Sequence, residues 1–210
     1  MSETSFDFNA FIKESKDVLV TPKSYFSTMK TTGGLGEPVI KALIYGAVAG
    51  IISFLWSILH LGGISMFGGA FGIMILIYTI IGAVIGLFVG AVVTLVISSI
   101  SKGSTDFESC ARVTAAVMVI MPISALLGFI SGFSPVVGSI VGLVVNVFAL
   151  YLLYHGIVEA LKANPATTKI VMYILIALLV IFMLIGMGAR RKVMTMDTDL
   201  KELMQDMQKK

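Results

Sequence analysis

Residues 42–101 read ALIYGAVAGIISFLWSILHLGGISMFGGAFGIMILIYTIIGAVIGLFVGAVVTLVISSIS, 60 consecutive positions without Asp, Glu, Lys or Arg. A helix rises about 1.5 Å per residue, so crossing roughly 30 Å of hydrocarbon takes about 20 apolar residues. The stretch is therefore long enough for two spans. Its break falls at His60-Leu61-Gly62-Gly63 and continues through Gly68 and Gly69, glycines that release the helix into a short loop.

The same arithmetic applies on the C-terminal side. Between Arg112 and Glu159 lie 46 uncharged residues, enough for two spans, with turn chemistry at Ser131-Gly132-Phe133-Ser134-Pro135. Between Lys169 and Arg190 lie 20, enough for one. The expected fold is all-α: a polytopic membrane protein with five transmembrane helices. Transmembrane strands are excluded by periodicity, since a barrel strand alternates apolar and polar residues and these segments are apolar all round. Composition agrees, with 57% hydrophobic and 13% charged residues against about 25% charged in soluble domains.

Three segments follow: an N-terminal amphipathic segment at 1–38, a five-helix transmembrane domain at 39–189 and a polar tail at 190–210. The first mixes acids with lysines and has no early apolar run, so a cleaved signal peptide is not expected. Its apolar residues Phe8, Phe11, Ile12, Val18, Leu19, Tyr25, Phe26 and Met29 recur at helical spacing. Thr21 and Pro22 divide the stripe, Thr21 as an N-cap and Pro22 at the first position of a second helix. The stripe fits two placements: in the membrane interface with Lys13, Lys16, Lys23 and Lys30 towards anionic lipid, or packed on the protein itself.

With the N-terminus cytoplasmic, nine cations from Lys13 to Lys169 lie inside and the two external loops carry none, the positive-inside pattern. Five spans then place the tail outside, although it holds six cations from Arg190 to Lys210. Six spans would balance charge better, but they would leave the 60-residue stretch almost nothing for turns. The tail's seam of Val193, Met196, Leu200, Leu203 and Met207 is too short for a stable isolated helix, so a flexible or membrane-resting tail is expected.

Small residues repeat every four positions at Gly82, Gly86, Gly90, Thr94 and Ser98, and again at Ser134, Gly138, Gly142 and Asn146. Such ridges let helix backbones approach. Packing between spans two and four is the favoured reading over a homodimer seam. Polar groups at membrane depth are few: His60, Asn146, and His155 with Glu159, whose spacing puts imidazole and carboxylate on one helical face. An interfacial helix-end pair is the plainer reading of the last two, ahead of a proton or metal site. Pro122 is positioned to kink span three.

Enzyme chemistry finds no support, since there is no GxSxG, no HExxH and no glycine loop followed by Lys-Ser or Lys-Thr. The single Cys110 has no partner within the chain and no zinc spacing appears. The tail methionines are better read as apolar filler than as a copper site. No cofactor is expected. The formal charge of +3 sits beside apolar spans, which argues for a membrane surface and against nucleic acid.

Three stretches resemble the Yip family, the Ypt/Rab-interacting membrane proteins that carry the Yip-one domain. They are Val18 to Met29, with proline followed by a basic residue and aromatics; Phe107 to Val113 running into Met121-Pro122; and Tyr151 to Ala160 followed by Lys169. The resemblance covers nearly the whole chain and implies five spans with a cytoplasmic N-terminus. The Asp-Leu-Tyr-Gly-Pro stretch of eukaryotic members is absent, which points to a prokaryotic-type member in the cell membrane; a eukaryotic one would reside in the ER or Golgi. The function expected is a non-enzymatic scaffold or adaptor acting on lipid and on a membrane-protein partner or a second copy. The competing reading is a small-solute or proton-coupled permease or channel lined by Asn146, His155 and Glu159.

Overall fold

The computed structural model describes the backbone of residues 7–59 and 69–208 and the side chains of 7–59 and 73–187. All regular structure among the described residues is helical: α1 (Phe8–Val20), α2 (Pro22–Thr28), α3 (Gly36–Ile58), α4 (Gly69–Ile100), α5 (Phe107–Val117), α6 (Ile120–Leu127), α7 (Ile130–Phe133), α8 (Pro135–His155), a π-helical turn (Gly156–Ala160) and α9 (Pro165–Gln208). Five stretches are long and apolar enough to cross a membrane: Gly36–Ile58, Ile73–Ile100, Phe107–Phe133, Pro135–Ala160 and Pro165–Met187. The protein is a five-span α-helical membrane protein. The expected break at His60 to Gly68 lies outside the described residues.

Span three is assembled from α5, α6 and α7. Its first break, at Met118–Val119, lies three to four residues before Pro122, where the proline ring meets the carbonyl of the preceding turn and its missing N–H removes a ladder bond. Local i−3 bonds replace the ladder there, Val119 to Ala116 at 3.3 Å and Met121 to Met118 at 2.9 Å. At the second break Trp56 of α3 donates its indole N–H to the Ala125 carbonyl at 3.0 Å, tying spans one and three.

The starts of α3, α5 and α9, the ends of α4 and the π-turn, and both short helices α1 and α2 share one end of the bundle, here called the polar end. Lys102 (φ 58°) and Lys162 (φ 56°) close α4 and the π-turn in left-handed conformation. Two backbone bonds then join the loops that follow, Ser104 N–H to Leu161 O at 2.7 Å and Asn164 N–H to Ser101 O at 2.8 Å. The largest fully buried side chains, among them Phe26, Leu87, Val113, Leu152, Ile157 and Leu161, form a core just beneath. Burial falls along the chain from 33% in span one to 6% in span five, so much of the outer bundle presents apolar side chains to lipid.

Three expectations change. Thr21 occupies the N-cap position of α2, but its side chain makes no cap; the hydroxyl turns back to donate to the Asp17 carbonyl at 3.2 Å and closes α1 instead. The N-terminal stripe divides between its two readings, since Phe11, Val18 and Phe26 are buried in the core while Phe8 and Ile12 stay exposed. The C-terminal tail begins no new element: α9 runs unbroken from Pro165 to Gln208. Extending an existing helix needs no nucleation, the step that makes an isolated helix of this length unstable.

Candidate functional site

The polar side chains of the bundle gather where α1, α3 and α5 meet. Spans one and three open with the same device, a glutamate one turn before a cation: Glu37 before Lys41 and Glu108 before Arg112. Each cation is carried into the buried side of its helix, leaving the Lys41 and Arg112 side chains 10% and 5% exposed. Buried charge is costly unless paired, and here the pairing is complete. The Lys41 ammonium donates to Glu14 of α1 at 2.6 Å and to Glu37 at 2.7 Å. The Arg112 guanidinium donates to the other oxygen of Glu37 at 2.7 Å, to Glu108 at 3.2 Å and to the Gly34 carbonyl at 3.0 Å. Glu37 is thus shared between two cations from two spans.

The network also fastens the loop between α2 and α3. Gly33 (φ 127°) and Gly34 (φ 89°) adopt backbone conformations open to glycine, and Gly34 N–H donates to Glu108 at 2.6 Å. A side chain at Gly33 would press on the Arg112 guanidinium, 3.0 Å from the Cβ position. The Ser109 hydroxyl of α5 lies 3.2 Å from the Thr31 carbonyl. On the other side α1 leans on Tyr45, whose hydroxyl lies 2.7 Å from that of Ser15 and whose ring centroid lies 5.0 Å from that of Phe11.

Two open concavities of about 440 and 420 Å³ flank the network and share Ala10, Glu14, Lys30, Glu37, Lys41 and Arg112. Burial pushes the nearby Tyr25 phenol up to about 12, against the lowering pull of Lys41. Asp106 caps α5, accepting from the Ser109 hydroxyl at 2.7 Å and its N–H at 2.8 Å, and these bonds hold its carboxyl below the usual range. Chemically the cluster is a clamp: its buried cations are saturated by carboxylates and carbonyls. Among the described residues no three His, Cys, Asp or Glu groups converge as metal ligands.

The pattern of a proline-led amphipathic segment clamped onto a five-span bundle extends the resemblance noted in the sequence, and the Yip1 domain model matches residues 16–187. The chain belongs to the Yip1-domain family. The matched region runs from within α1 to the end of the fifth apolar stretch and takes in Glu37, Lys41, Glu108 and Arg112. No curated protein matches this Yip1-domain chain, and no solved structure does.

Of the polar residues singled out by spacing in this Yip1-domain protein, Asn146 stands apart from His155 and Glu159. Asn146 is exposed midway along α8, and its amide donates to the Gly142 carbonyl of its own helix at 2.8 Å. His155 closes α8 between the rings of Tyr151 and Tyr154, and its Nδ1 is buried without a hydrogen-bond partner. Glu159 follows one turn on, in the π-turn, and stays close enough to His155 for its charge to act on the imidazole. Of the glycines, a Cβ added at Gly90 would lie 2.8 Å from Thr114 of α5 and one at Gly138 would press on Ser131, whereas Gly82, Gly86 and Gly142 have open space beside them. The inner face of α4 carries Ala83, Leu87, Ala91, Thr94 and Ser98 and packs on α3 and α5, so the partner of Gly90 is span three and not span four.

The sequence reading passed over a close helix approach between spans one and two, where a Cβ added at Gly46 of α3 would lie 2.6 Å from Ala83 of α4 and one at Gly50 would press on Leu76 one turn on. Gly46 and Gly50 carry the same four-residue spacing and were legible by it. The network was legible in part through its two Glu-to-cation steps of four residues.

Proposed function

We propose that this Yip1-domain protein is a non-enzymatic membrane scaffold or adaptor, which presents α1, α2 and the loop that follows them, residues 7–38, as a fixed cap on the polar end of the bundle. The observation that carries the reading is the sharing of Glu37 between Lys41 and Arg112, with Glu14 of α1 completing the set. A polar network placed to hold a cap suits a contact surface. Asn146 stands more than two turns of α8 from the His155 and Glu159 pair and bonds to its own helix, which weighs against the permease reading.

The short-loop cations favour a cytoplasmic polar end, and the missing Asp-Leu-Tyr-Gly-Pro stretch favours a prokaryotic cell membrane, with a membrane-protein partner or a second copy engaging the cap. Two experiments test this. A photo-crosslinker at Lys13 in living cells should form discrete protein adducts that the same probe at lipid-facing Leu178 does not. Purified protein in liposomes should pass no proton or small solute; flux that Glu159→Gln abolishes would overturn the reading. Topology is tested by fusing a fluorescent protein that folds only in the cytoplasm to Lys210, where the five-span orientation predicts darkness.

A further inference from the structure

The contacts of α1 with α3 fix which way α1 is rolled. Along α3, Lys41 lies one turn nearer the polar end than Tyr45. Glu14 meets Lys41, whereas Phe11 and Ser15 meet Tyr45. Round α1, at about 100° per residue, the order is Glu14, Val18, Phe11, Ser15, and then Phe8, Leu19 and Ile12. Turning from Glu14 to Ser15 is therefore a turn from the polar end towards membrane depth, and Phe8, Leu19 and Ile12 continue it. In the opposite sense from Glu14 come Ala10, Asp17 and Lys13, which line the larger polar-end concavity.

We infer that the Phe8, Ile12 and Leu19 flank of α1 is seated in the bilayer interface beside span one, with the phospholipid itself as the occupant of that face. Phe8 is 58% and Ile12 52% exposed, values at home in lipid and costly in water. The flank continues onto a lipid-facing surface, since Val48, on the Lys41 and Tyr45 side of α3 and one turn deeper, is exposed on a spanning helix. Lys16, exposed and next round the wheel after Ile12, is placed for the headgroup phosphates. The helix is thus shared, one side on protein, one in lipid and one towards water. This deepens the adaptor reading, on which its biological meaning rests, because only the Lys13 side remains for a protein partner.

Nitroxide labels placed singly at positions 8, 9, 12 and 13, on a Cys110→Ala background in phospholipid nanodiscs, test the seat. All four sites are exposed, so labelling leaves the packing intact. Labels at 8 and 12 should collide more with oxygen than with a water-soluble nickel complex, and labels at 9 and 13 should show the reverse. Equal nickel accessibility at 12 and 13 would overturn the inference. The two readings fail separately, since a water-exposed label at 12 leaves crosslinking from Lys13 untouched.

Discussion

Arg112 of span three meets Glu37 of span one at 2.7 Å, and this contact joins two helices whose starts are separated by the whole second span. It also brings together two cations, since the other oxygen of Glu37 holds Lys41. One carboxylate therefore sets the relative position of α3, α5 and, through Glu14, α1.

Glu37→Gln should leave both cations short of a partner. Glu37 is 42% exposed, so solvent moderates the loss below the full cost of breaking a buried pair, to about 1–3 kcal/mol. Thermal unfolding in detergent should register it. A variant as stable as the parent would show that Glu37 does not organise the cluster.

Helix packing is tested by two glycines of opposite surroundings. Gly46→Leu must displace Ala83 or the α4 backbone and should destabilise by about 1–3 kcal/mol or more. Gly86→Leu adds a side chain where nothing lies within 4 Å and should leave monomer stability unchanged. Equal effects would contradict this arrangement of spans one to three.

Tyr25 gives a pH dependence whose sign is fixed. Burial pushes its phenol up to about 12 in the fold, from the ordinary 10.0, so between those values the folded chain holds a proton that the unfolded chain has released. The Tyr25 contribution to stability is full below pH 10 and is lost as pH rises towards 12. Comparing melting temperatures of the parent and Tyr25→Phe across this window isolates the term: the parent should lose more stability than the variant.

Asp106→Ala removes the α5 cap and should cost about 0.5–2 kcal/mol. The depressed carboxyl gives acid sensitivity of the opposite sense, with its stabilisation present at neutral pH and lost as pH falls through its folded-state value. Unfolding of parent and variant should converge in strong acid. A difference that persists there would assign the cap's role to geometry without charge.

The spans were legible because charge exclusion over 60, 46 and 20 residues is a direct consequence of hydrocarbon as solvent. Their contact faces were less so. A stripe repeating every four residues drifts by about 40° per step against the helix, so Gly82 and Ser98 cannot share a face; the polar-end half, Gly90, Thr94 and Ser98, turns inward while Gly82 and Gly86 turn away. Pro122 marked its kink, but the π-turn that follows His155 has no comparable signal. Glu14 was hidden because it meets Lys41 across 27 positions, a distance over which local spacing says nothing.

Hydrogen exchange in lipid nanodiscs tests most directly whether the N-terminal helices are part of the membrane fold. Amides of residues 8–28 should exchange as slowly as those at the start of α5, and Lys41→Met should accelerate α1 well before the spans. Exchange of residues 8–28 at the rate of a free chain in the unaltered protein would contradict the account.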